Sequence, residues 1–182
     1  VDRRYDRPRR PVCRRRGIKG AGDEPADHAP GRSRGRFSTK IHLLCDRAGH
    51  PLGFHLTAGQ SHESQSLETL LEETEVVDFA GERIAGPLQL AGDKGYRAEW
   101  IDESLLESGI APVIPSKANQ DRDVRLVGFD REACRERNII EPLIDWFKDC
   151  RRILTRFEKT ATNDAAMIKM AFIHHSLRIL CR

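Results

Sequence analysis

The sequence has five cysteines but no Cys-x-x-Cys pair. Cys13, Cys45, Cys134, Cys150 and Cys181 are odd in number and widely scattered, which indicates neither a zinc site nor a disulfide framework. Free thiols in a reducing cytoplasm are the plain reading. Aromatic residues are scarce, at 6%, although a hydrophobic fraction of 38% is ample for a core. No apolar run approaches the ~18 residues of a membrane-spanning helix, so no membrane partner is expected. The first residues are rich in arginine without an apolar stretch beside them, and no secretory signal is expected there. No internal repeat occurs, which argues against a solenoid. A length of 182 residues fits one domain and is marginal for two.

What the chain does have is charge, unevenly placed. Residues 1–37 hold twelve Arg/Lys against five Asp/Glu, a net of +7; the formal total is +3, so the rest carries −4. A basic arm beside an acidic-leaning body suggests a polyanionic partner. A disordered cationic tail is the alternative reading of the same composition. Residues 1–30 are dominated by Pro, Gly and Arg and are expected to be irregular. From Phe37 the pattern changes. "FSTKIHLLCD" alternates, "RAGH" supplies a glycine turn, and "PLGFHLTAG" reads as the return strand of a hairpin.

A helix follows, with Leu67, Leu70, Leu71 and Val77 at helical spacing. "GPLQLAGDKGY" reads as a short buried strand and its exit loop. "RAEWIDESLLESG" is helical, with Trp100, Leu105 and Leu106 apolar and Gly109 as its stop. "IAPVIPS" is a second buried strand, "KANQDRDVRLVGFD" a polar loop, and two helical stretches cover roughly 131–157 and 163–181. This order of elements predicts a mixed sheet with helices on its faces. The hairpin should pair with the strand that ends at Asp93.

Two places could carry chemistry. Asp93 ends an apolar strand and is followed by Lys94, Gly95 and Tyr96. A carboxylate at the C-terminal end of a buried strand lies where α/β folds bind ligands. Asp-Lys-Gly is also ordinary turn chemistry. The second place is "CRERNIIEPLIDWFKDCRR". At about 100° per residue, Arg137, Lys148 and Arg152 all fall within about 40° of Glu141. Ile140, Leu143, Ile144 and Phe147 form the adjoining apolar side. A solvated face with i,i+4 ion pairs would look similar, except that this charged stripe borders the core stripe directly.

"GRSRGRFSTKIHLLCDRAGHPLGFHLTAGQSHES", "LAGDKGY", "PVIPSKAN" and "RERNIIEPLIDWFKDCRRILTRFEK", in that order, resemble the bacterial insertion-sequence transposases of the DDE type, specifically the family numbered five. That family's Tyr-x2-Arg-x3-Glu-x6-Lys pattern fits Cys134, Arg137, Glu141 and Lys148, with cysteine in place of tyrosine. The resemblance implies a ribonuclease-H-like α/β domain over 31–182, preceded by the basic arm of 1–30. It implies three carboxylates, Asp2, Asp93 and Glu141, holding Mg²⁺ (or Mn²⁺) for DNA cleavage and strand transfer. It also implies terminal inverted repeats and target DNA as partners, homo-oligomeric assembly, and a cytoplasmic, nucleoid-associated setting. Mg²⁺ takes hard oxygen ligands and keeps several waters, so a few carboxylates on rigid elements suffice. Arg32, Arg34, Lys40, Arg137, Lys148 and Arg152 are the expected contacts to the DNA backbone.

Two departures accompany the resemblance. The family's first carboxylate lies on a buried strand, whereas Asp2 is followed by "RRYDRPRRPVCRRRGIKG", which lacks a strand pattern. Read one base forward, Tyr5–Arg16 can be encoded to give Thr-Ile-Val-Arg-Ala-Asp-Arg-Cys-Ala-Ala-Gly, so a shifted frame, in a truncated or decayed copy, is expected. Strand transfer should then be negligible while DNA binding survives, and the alternative function is that of a catalytically inactive DNA-binding remnant. The second departure is Pro142, which should either start the Glu141 helix or kink it.

Overall fold

Strand β3, Arg36–Cys45, alternates apolar and polar residues, and a five-residue turn returns the chain along β4, Pro51–Ala58. The turn is shaped by Asp46. Its Oδ1 accepts the N–H groups of Ala48 and His50 at 2.8 Å, and its Oδ2 meets the His50 imidazole at 2.8 Å. Gly49 sits at φ 86, a left-handed conformation that a side chain would strain. A computed structural model describes residues 5–8, 31–33, 36–77, 80–84, 86–116, 128, 130–158 and 160–181, with side chains from residue 38 onward. Two further short strands pair antiparallel with β3: β1, Tyr5–Pro8, and β2, Gly31–Ser33. β1, β2 and β4 thus share β3 as their common partner in one four-stranded sheet.

β1 is a short regular stretch within the basic arm expected to be irregular. A strand needs backbone donors and acceptors more than an alternating pattern, and Pro8 is its last residue, where a missing N–H costs least. The remainder of that arm lies outside the described residues.

The described residues of 42–55 and 62–144 form one compact unit; those of 5–41, 56–61 and 145–182 form another. In the first, a 3₁₀ turn at Glu63–Ser66 leads into α1, Leu67–Glu73. Strand β5, Gln89–Ala91, is joined through α2, Glu99–Glu107, to β6, Ala111–Val113. β5 and β6 pair in parallel, as a strand–helix–strand crossover requires. Gly109, at φ 74, ends α2 as the sequence indicated. Leu44, Leu67, Leu70, Leu90, Tyr96, Ile101, Leu105, Ile110 and Ile114 form the core of this unit. Of the helix residues expected inside, Val77, Trp100 and Leu106 are instead exposed.

The architecture is mixed α/β, but the single mixed sheet expected from the sequence is not what forms. β5 pairs with β6 in its own two-stranded sheet and not with the β3–β4 hairpin. The physical reason lies in the side chains. Leu44 of β3 and Leu90 of β5 line the same small apolar cavity with Leu67, Leu70, Tyr96 and Ile114, so the two sheets meet through side chains and not through a ladder.

In the first unit α3, Arg131–Glu136, passes through a 3₁₀ turn at Arg137–Ile139 into α4, Ile140–Asp149; α5, Arg151–Leu154, and α6, Ala161–Leu180, belong to the second. The long helix expected over 131–157 is therefore interrupted twice. Pro142 stands in the first turn of α4, where its missing N–H is tolerated, and the 3₁₀ turn immediately precedes it. Ile140, Leu143, Ile144 and Phe147 are buried, as their stripe predicted. The Phe147 ring stacks edge-on against Phe172, with centroids 5.5 Å apart. Among the described residues no helix is long and apolar enough to cross a membrane.

Gly53 and Asp46 give two tests of this framework. A Cβ at Gly53 would lie 2.0 Å from Thr74 Oγ1, itself held to the Leu70 carbonyl at 2.6 Å; a Cβ at Gly128 meets nothing within 4 Å. Gly53→Ala should therefore lower stability by about 1–3 kcal/mol in urea unfolding, and Gly128→Ala should leave it nearly unchanged. Burial alone would raise the Asp46 pKa, but the N–H of His50, its imidazole and charge, and the Ala48 N–H together hold it below its ordinary 3.8. A depressed carboxyl stabilises the fold above the unfolded-state pKa, and that contribution fades as pH falls through the folded value. The stability gap between the parent and Asp46→Asn should be constant near neutrality and close as pH drops below 3.8.

Candidate active site

Asp93 follows β5 in extended conformation and caps a 3₁₀ turn, Lys94–Tyr96. Its Oδ1 accepts the Lys94 N–H at 2.7 Å, and its carbonyl accepts the Tyr96 N–H at 2.9 Å. Asp93 thus follows a strand and also caps a turn, as Asp-Lys-Gly chemistry suggested. The Asp93 side chain keeps 31% of its surface open, and Lys94 beside it is exposed.

Arg137 reaches the same carboxylate oxygen, Nη1 lying 3.3 Å from Asp93 Oδ1. Its side chain is only 16% exposed, and its buried Nε has no hydrogen-bond partner among the described residues. Arg137 belongs to the 3₁₀ turn before α4, and Glu141 to the first turn of α4. The structure therefore joins the Asp-Lys-Gly-Tyr block to the Arg-x3-Glu block through a direct ion pair. These blocks are 44 residues apart in sequence.

The turn is braced on its far side. Arg97 Nη1 pairs with Asp102 Oδ2 on α2, and both side chains are almost wholly buried. The Tyr96 hydroxyl pairs with His42 Nδ1 on β3, and Ser66 Oγ lies 3.2 Å from that imidazole. The sequence reading missed His42, Ser66 and Asp102. Tyr96 was visible as the last residue of its motif, but nothing local marks a histidine 54 residues upstream as its partner.

The other expected site residues divide. Lys40 is not on a loop surface; it is 6% exposed on β3, and its Nζ donates to the Ser61 carbonyl at 2.7 Å. β3 is buried on both faces from Ser38 to Cys45, which draws the lysine inside. Lys148 is partly exposed and pairs with Asp145 at 2.5 Å, one turn back on α4. Arg152 is largely exposed and lies 3.4 Å from Glu158. The continuous charged stripe from Arg137 to Arg152 does not exist as one helix face, because the chain leaves α-helical geometry at Arg137–Ile139 and at Cys150. Only Glu141 and Lys148 share α4. Burial, and then the charge of Asp149, push the Cys150 thiol pKa up, which keeps it protonated and unreactive at neutral pH. The described cysteines Cys45, Cys134, Cys150 and Cys181 are free thiols. Asp2 and Arg34 lie outside the described residues; of Arg32, the backbone pairs with Phe37 in β2.

Among the described residues no group of three or more His, Cys, Asp and Glu is placed to hold a metal ion. The donor chemistry of the pair that is described still suits a hard divalent cation. Asp93 and Glu141 offer carboxylate oxygens, the hard donors such a cation takes, and Asp93 is partly open; the Arg137 guanidinium at Asp93 Oδ1 would have to yield that oxygen to a bound cation.

The chain belongs to the DDE transposase family: the model of the transposase DDE domain matches residues 6–174. It is 27% identical over 158 residues to the "Putative transposase for insertion sequence element IS402" of Burkholderia cepacia, covering 86% of this chain and 68% of that protein. No solved structure matches.

The brace beneath the site can be tested by comparing single and paired substitutions. Asp102→Leu leaves Arg97 buried without its partner and should cost about 3–5 kcal/mol in urea unfolding. Combining it with Arg97→Met removes both charges and should recover most of that loss.

Proposed function

We propose that this chain carries the catalytic domain of an insertion-sequence transposase whose reaction is metal-dependent DNA cleavage and strand transfer, with Asp93 and Glu141 as two of its three metal-holding carboxylates. The observation that carries the reading is the Arg137–Asp93 ion pair, which brings two separate family blocks to one place. Asp2 is the third carboxylate of the proposal. A divalent cation held by these groups would act as a Lewis acid on the phosphodiester and its attacking oxygen.

The side chains have separable tasks. Asp93 and Glu141 supply negative oxygen donors. Arg137, held against Asp93 with little exposure, is a preorganised guanidinium suited to a phosphate oxygen by charge-assisted hydrogen bonding. The partly exposed Lys148 and the exposed Arg152 offer cations to a DNA backbone, and Arg32 of β2 and Arg34 after it extend that role. Lys40 takes no part, since its ammonium is bonded inside the protein.

The test uses purified protein and DNA bearing the element's terminal repeats. Binding should weaken steeply with salt, and Arg137→Ala should lower the log–log salt slope by about 0.9, the value of one lost phosphate contact. Mn²⁺-dependent nicking that disappears in Asp93→Asn and Glu141→Gln would establish the carboxylate roles. Salt-dependent binding without any nicking would leave the chain as a DNA-binding remnant. Absence of salt-dependent binding would overturn the DNA-contact assignments.

A further inference from the structure

The Asp93 turn is fastened from below by a line of buried polar groups. Tyr96, the last residue of the turn, is 1% exposed, and its ring lies edge-on to His42 with centroids 6.0 Å apart. Its hydroxyl bonds His42 Nδ1. Ser66 Oγ is 3.2 Å from both His42 Nδ1 and Nε2 and donates to the Glu63 carbonyl at 2.7 Å. A hydroxyl has one proton, so with that proton on Glu63, Ser66 Oγ can only accept from the imidazole. The Tyr96 hydroxyl thus pairs with His42 Nδ1, the imidazole faces Ser66 Oγ, and Ser66 O–H donates to the Glu63 carbonyl.

A tyrosine so placed is more than core filling. An apolar ring would fill the same space in the cluster of Leu44, Leu90 and Ile114 without needing a partner for a buried hydroxyl. The hydroxyl ties the C-terminal residue of the turn to β3, while the Tyr96 N–H ties it to the Asp93 carbonyl. The Asp93 carboxylate in turn caps Lys94. The turn has three residues, so a shift at Tyr96 has little chain in which to dissipate before it reaches Asp93.

We propose that Tyr96 is a positioning residue for Asp93: through His42 and Ser66 its hydroxyl fixes the 3₁₀ turn, and thereby the direction of the Asp93 carboxylate. The consequence for a metal rests on the function proposed above; the consequence for the turn does not.

The experiment uses the full chain labelled with ¹⁵N, in the parent, Tyr96→Phe, Ser66→Ala and Asp93→Asn forms. Tyr96→Phe keeps the ring and removes only the hydroxyl. Two readouts are taken: hydrogen exchange at the Lys94 amide, and the Mn²⁺ concentration that broadens the amide signals of residues 93–97. In Tyr96→Phe the Lys94 amide should exchange about tenfold faster and the required Mn²⁺ should rise about tenfold, the lower end of what outer-shell partners of metal ligands contribute. The Ala111 amide, bonded to the Leu88 carbonyl, should not change. Ser66→Ala, which leaves Tyr96 and His42 in place, should show the same changes to a smaller extent, and it carries the test should Tyr96→Phe not fold. Unaltered Lys94 exchange in the folded variants would overturn the proposal. A parent protein whose Mn²⁺ response equals that of Asp93→Asn would instead overturn the metal role of Asp93, with Lys94 exchange still deciding the positioning role.

Discussion

Burial of β3 on both faces is the constraint to which the rest of the molecule answers. From Ser38 to Cys45 every residue is buried, although four of them are polar or charged. A strand enclosed in this way must find an internal partner for each polar side chain, because water cannot serve. Thr39 takes Arg156, which also faces Asp164 at the start of α6. Lys40 takes the Ser61 carbonyl, and His42 takes Tyr96 and Ser66. In one unit these bonds join Thr39 and Lys40 to Arg156 and Ser61; within the other, His42 is joined to the Asp93 turn. Gly59 approaches so closely that a Cβ there would lie 1.9 Å from Ser38 Oγ, so a side chain would be excluded.

The candidate site inherits its rigidity from that strand. Asp93 is partly open and sits on a short turn after a three-residue strand, a poor support by itself. Its support comes from groups that never reach the surface: the Tyr96 hydroxyl on one side and the Arg97–Asp102 pair on the other. A carboxylate that is to hold a cation must stay put while its own charge repels other acids nearby. Arg137 supplies the opposing charge at 3.3 Å. An ion pair this sheltered differs from the exposed Arg47–Glu136 pair, whose strength salt and side-chain entropy largely cancel.

Family membership and local geometry bear on different questions. The match over residues 6–174 fixes the lineage and reaches back past the loop before β3 into the basic arm, where β1 forms. The ion pair says which blocks of that lineage meet in space. The first carries no information on distances, and the second none on substrate; together they name the residues on which to test the proposed reaction.

Short-range chemistry was legible from the sequence. The hairpin and its glycine turn, the strand that ends before Asp93, the Gly109 stop, and the buried stripe of Ile140, Leu143, Ile144 and Phe147 all depend on neighbours within a few residues. The same holds for the four motif blocks and their order. What tertiary structure decided was pairing. β5 joined β6 because apolar side chains fill the space toward β3, Lys40 went inside because both faces of its strand are covered, and the charged stripe broke because the chain leaves α-helical geometry on either side of α4. His42, Ser66 and Asp102 gave no local sign of their roles. A buried polar side chain acquires its partner only when the fold removes water from around it, and that partner can stand anywhere along the chain.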